Sequence, residues 1–125
     1  MIDLEYCRFI HSNSQRHSYS ILIGKNRDDI PESGKYHVYM NRCLFKGGSG
    51  RNPRCRHSIV YLKNCVWKGI KDYIIGPENS DVYIDGGRIE NCMCPILSPY
   101  GQYKSILIKR PVLPKFLPAR FSRRL

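Results

Sequence analysis

The chain has 125 residues, the size of one domain, and carries 21 Lys and Arg against 10 Asp and Glu, a formal net charge of +11. At 42% hydrophobic it has enough apolar material for a core and too much for a disordered polymer. Its apolar runs are too short to span a bilayer or to form a signal peptide, and six Cys are too few for a disulfide scaffold.

The charge is uneven. No acid follows Glu90, while Lys104, Lys109, Arg110, Lys115, Arg120, Arg123 and Arg124 do, so seven of the eleven net charges lie in the last 22 residues. A basic chain favours an anionic partner: nucleic acid, an acidic membrane surface or an acidic polysaccharide. Composition alone does not choose among these.

In chain order, the first strand-like segment is "IDLEYCRF" (2–9), followed by "SILIG" (20–24). The acids, Pro31 and Gly34 of residues 25–36 then predict an exposed loop inserted between strands. "VYMNRCLFKG" (38–47) leads into a Gly-rich turn and "PRCRH" (53–57), with Pro53 opening a strand. "VYLKNCVWKG" (60–69), "YIIG" (73–76), "VYIDGGRIEN" (82–91), "PILS" (95–98) and "SILIKR" (105–110) follow.

These segments repeat. Those at 38, 60 and 82 align without gaps at a 22-residue step, with 2–9 as a weaker copy and Lys104 marking the next step. "SILIG", "PRCRH", "YIIG" and "PILS" form a second phase. All are short β-branched or aromatic runs bounded by Gly, Pro, Asn and Ser, and none carries a 3.6-residue apolar stripe. Two or three short strands per 22 residues predict a parallel β-helix, each layer stacking on the next at about 4.8 Å. A β-sandwich or meander is the rival, but side-chain identity recurs as well as spacing. Cys7, Cys43 and Cys65 fall in one stack, and Phe45, Trp67 and Ile89 in another. The 36-residue step from Cys7 to Cys43 is 14 longer than the period, a surplus that maps onto 25–36.

The cysteines do not have zinc-site spacing, since Cys92 and Cys94 form a C-x-C and there is no C-x2-C. Cys43 and Cys65 read as small inward-facing fillers, either as thiols or as a disulfide between adjacent layers. A catalytic pairing of Cys55 with His57 is disfavoured, because residues two apart on a strand share one face.

That alternation carries the chemistry. In "PRCRH" it sends Arg54 and Arg56 to one face and Cys55 to the other. With Cys55 inside, two guanidinium groups stand on the outer wall, with Arg51 at the turn before them. Guanidinium groups recognise carboxylates bidentately, which suits a uronate polymer. The plainer alternative is a solvated basic edge that discourages edge pairing.

From Tyr6 to Cys92 the sequence resembles the pectate lyase family of right-handed parallel β-helix enzymes. "SYSILIG" resembles the family's strand ending in "MLIG", and "RNPRCRH" its Arg-x-Pro-Arg-x-Arg run. "GKYHVYMNRCLFKG", "IVYLKNCVWKG" and "YIIGPENSDVYIDGGRIEN" resemble the flanking segments in the same order. The resemblance implies an all-β right-handed parallel β-helix of about four to five coils over residues 1–109. It implies calcium-dependent β-elimination on polygalacturonate, with Arg51 matching the catalytic base and Arg56 the arginine that binds substrate carboxylate. Arg54 stands beside them as a second substrate-binding arginine. Secretion is typical of that family.

The chain departs from the pattern in three places. Ser18 and Tyr19 replace the family's Asp-Lys pair before "MLIG", and neither Lys25 nor Lys46 is shown to substitute. The calcium-binding acids belong to coils that would precede residue 1; Asp28, Asp29 and Glu32 lack a matching coordination pattern. The chain opens inside a coil, which implies an N-terminally truncated lyase, inactive alone or completed by missing coils or a partner subunit. Residues 110–125, with prolines at 111, 114 and 118, form either a cap on the last coil or a free basic tail. Three functions follow in order: a pectate lyase or its remnant, a non-catalytic acidic-polysaccharide binding module, and, without any recognised motif, a nucleic-acid binder through the basic C-terminus.

Overall fold

The structure, a computed structural model, describes residues 1–12, 18–25, 35–71 and 73–92, together with the backbone of 105–109. Among the described residues every regular element is a strand, and no helix is long and apolar enough to cross a membrane. The segments "PILS" and 110–125 and most of the inserted loop lie outside the described residues.

The strands form three sheets, all of whose pairings are parallel. The first holds β1 (Ile2–Glu5), β4 (Tyr36–Asn41), β7 (Ser58–Lys63), β10 (Asp81–Asp85) and β12 (Ser105–Lys109) in that order. The second holds β2 (Arg8–Ile10), β5 (Leu44–Lys46), β8 (Val66–Lys68) and β11 (Arg88–Glu90). The third holds β3 (Leu22–Ile23), β6 (Arg54–Arg56) and β9 (Gly76–Glu78). From β1 to β11, every third strand in chain order joins the same sheet.

The register reproduces the sequence repeat. Val38, Val60 and Val82 pair in line, as do Tyr39, Tyr61 and Tyr83. Alternation then sends Val38, Met40, Val60, Leu62, Val82 and Ile84 inward, all buried, while the tyrosines stay on the outer face. In the second sheet Phe9, Phe45 and Trp67 stack, with ring centroids 5.1 and 5.9 Å apart and planes within 10°. Trp67 Nε1 donates to the Asn52 carbonyl at 2.8 Å, so the largest core side chain leaves no orphaned polar atom. Cys43, Cys55 and Cys65 are buried free thiols in the same apolar cluster.

The corners between the first and second sheets are built from single left-handed residues at one place in each layer: Tyr6, Arg42, Asn64 and Gly86, with φ between 52° and 72°. Asn and Gly tolerate that conformation readily; Tyr and Arg adopt it at a cost. Gly87 follows at φ 90°, and a Cβ there would lie 2.0 Å from the Cys65 carbonyl oxygen. Only glycine lets the two layers approach that closely.

Two expectations change. The 14-residue surplus does not fall wholly within 25–36. Arg8 pairs with Leu44, 36 residues on, but Leu22 pairs with Arg54, 32 on. Ten extra residues therefore lie between β3 and β4, and four between β2 and β3. Only the last residue of "YIIG" lies in the strand that pairs with "PRCRH". Arg54, Cys55 and Arg56 pair with Gly76, Pro77 and Glu78, and Ile74 and Ile75 are buried just ahead of β9.

Candidate functional site

The arginine segment is the central strand of the third sheet, between β3 and β9. Cys55 turns into the core and is fully buried, so Arg54 and Arg56 share the opposite face, as the alternation predicts. Left-handed residues flank the strand, Arg51 at φ 59° and His57 at φ 51°. Such conformations are uncommon for these residue types and need support from their surroundings.

The two arginines share an internal partner. Glu78 pairs with Arg56 in the β6–β9 register. Its Oε2 accepts from Arg56 Nε at 3.0 Å and lies 3.5 Å from Arg54 Nη2. Glu78 is 0% exposed and Arg54 4%, while the Arg56 side chain is 15% exposed. A buried carboxylate is costly unless charged donors surround it, and here it has two. Arg56 is also held from its other end: Nη1 donates to the Lys25 carbonyl at 2.9 Å. Gly24 makes room for this contact, since a Cβ there would lie 2.8 Å from Arg56 Cβ. Arg54 is thus an interior group and does not stand on the outer wall as the sequence predicts, because it turns to the buried Glu78 carboxylate, while Arg56 is anchored at Nε and Nη1 and remains partly open to solvent.

Arg51 belongs to a second group. Its guanidinium carbon lies 4.1 Å from the centre of the Tyr19 ring, a cation–π contact. Tyr73, 22 residues on, lies at the same corner of the next layer, where its backbone N–H donates to the Ser49 carbonyl at 3.0 Å. Burial pushes the Tyr73 phenol up, against the pull of a hydrogen bond and charge from Arg51 and the charge of Arg54. Tyr73 therefore links the two groups, and Arg51, Arg54 and Arg56 form one continuous cluster with Tyr19, Tyr73 and Glu78. His57 closes its far edge: its Nδ1 accepts from the Asn79 side-chain amide at 2.8 Å, and its backbone N–H donates to the Glu78 carbonyl.

Three guanidinium groups against one carboxylate leave this cluster net positive, with Arg51 and Arg56 its more accessible members. Its chemistry is anion recognition. Among the described residues no group of three His, Cys, Asp or Glu could hold a metal ion. Asp28, Asp29 and Glu32 lie outside the described residues.

The sequence reading brought together the three arginines but missed Glu78, Tyr73 and Tyr19. Two of these were within reach of the repeat, since Glu78 and Tyr73 lie one 22-residue step after Arg56 and Arg51. No protein-family model, curated protein or solved structure matches the chain.

Proposed function

We propose that the chain is a secreted protein that winds as a right-handed parallel β-helix of the pectate lyase kind and binds polygalacturonate, an acidic polysaccharide, through its arginine cluster. The recurrent order of three parallel sheets supports the winding, and parallel crossovers are right-handed in nearly all proteins. The observation that carries the ligand is the net-positive cluster of guanidinium groups fixed on and beside a central strand rather than on a mobile tail. Arg56 and Arg51 hold carboxylates of neighbouring sugars, and Arg54 supplies charge from beneath.

Cleavage is the extension of this reading. β-Elimination breaks the C5–H and C4–O bonds of a uronate, forms a C4=C5 double bond and releases the departing sugar oxygen, which takes a proton from solvent. Arg51 would take the C5 proton, for which its guanidine must first be neutral. In the resembled family calcium acidifies the C5 proton.

The test measures polygalacturonate affinity with calcium and with a chelator, together with the ultraviolet absorbance of unsaturated product. Binding is expected to survive the chelator, because guanidinium groups make the contacts, with turnover weak or nil. Any product formation should vanish in Arg51→Lys. Absence of saturable binding in either condition would overturn the proposal.

A further inference from the structure

Glu78 lies where a ligand carboxylate would be expected. A guanidinium offers its best fork to a carboxylate along one edge, with two parallel N–H donors. On Arg56 the Nε donor is given to Glu78 and the Nη1 donor to the Lys25 carbonyl, so each edge has one donor already committed. Arg54 faces the same carboxylate. The two arginines that the sequence marks as ligand-binding thus meet an acid supplied by the chain itself, one layer along.

We infer that Glu78 is an internal counter-ion that restrains the site: it takes the place of a ligand carboxylate on Arg56, cancels one of the three guanidinium charges and so weakens binding of carboxylate polymers. The inference rests on the proposed reading of the cluster as a uronate site, and it deepens that reading by naming what sets its affinity. It differs from a purely structural role in sign. A residue that only supports the fold weakens binding when changed, whereas removal of a competing counter-ion strengthens it.

The experiment compares wild type and E78Q, both as full chains, by titration with polygalacturonate and with polyglutamate, a carboxylate polymer without sugar. The basic C-terminal segment is common to both, so the difference between them reads the cluster. E78Q should bind both polymers more tightly, by about threefold to tenfold, and lose affinity more steeply with added salt. If E78Q leaves Arg54 unbalanced and does not fold, R54M/E78M decides instead. It removes both buried charges together, keeps the net charge and frees the Nε donor of Arg56, so tighter binding is again expected. Unchanged or weaker binding of both polymers by the deciding variant, with a cooperative melt, would overturn the inference. Tighter binding of polyglutamate with no binding of polygalacturonate by either protein would uphold the counter-ion role and refute the uronate reading.

Discussion

Cys65 shows how a single small side chain reports its surroundings. It lies in the stack with Cys7 and Cys43, and burial pushes its thiol up from an ordinary value of 9.0 to about 12. Cys55, behind the arginine strand, is pushed up further for the same reason. The native state therefore holds protons that the unfolded chain releases above pH 9.0, so this contribution is complete below that pH and is lost progressively as pH rises toward about 12. Urea unfolding of wild type and Cys65→Ala at about pH 8 and about pH 10.5 measures it. The variant is expected to be less stable at the lower pH, because it leaves a cavity, but to lose less on going to the higher pH. Equal losses would contradict the burial argument.

At the scale of elements, the close approach of layers depends on corners that only some residues can form. Gly87→Ala places a methyl 2.0 Å from the Cys65 carbonyl oxygen at φ 90°, a clash with backbone that no rotamer relieves. It should cost about 3 kcal/mol or more. Gly69→Ala is the control: its φ is 65°, but among the described residues no atom beyond its chain neighbours lies within 4 Å of the added carbon. That variant should lose about 1–2 kcal/mol, the cost of the left-handed conformation alone. Denaturant midpoints of the two variants test the ranking, and equal losses would show that the close contact is relieved by backbone movement.

The same elements show what the sequence could and could not reveal. Strands of the first two sheets were legible because Val38, Val60 and Val82, and Phe45, Trp67 and Ile89, keep both spacing and character. The inward turn of Cys55, and with it the common face of Arg54 and Arg56, followed from alternation alone. The third sheet was harder to read. Its strands are two or three residues long and share no side-chain type, for Leu22, Arg54 and Gly76 stand in line. Of "YIIG" only Gly76 enters the strand, and Glu78, two residues beyond that segment, stands opposite Arg56. The division of the surplus was hidden too, because nothing in its residues repeats to mark where the layers resume.

At the scale of the whole molecule, one apolar cluster drawn from all three sheets holds β6 in place, and the site is its outer face. Trp67 reaches across that core to the carbonyl of Asn52, one residue from Arg51, so the turn carrying the arginine is tied to the largest buried side chain. Burial within the arginine cluster is graded, with Glu78 and Arg54 closed off and Arg56 partly open. A flexible basic surface would have no such gradient. Recognition of polygalacturonate by this face is tested by Arg56→Met, because methionine keeps much of the side-chain volume while removing the guanidinium. Titration calorimetry at fixed salt, on protein shown by its melt to be folded, is predicted to give an affinity reduced about tenfold or more relative to wild type. An unchanged affinity in folded Arg56→Met would contradict the account.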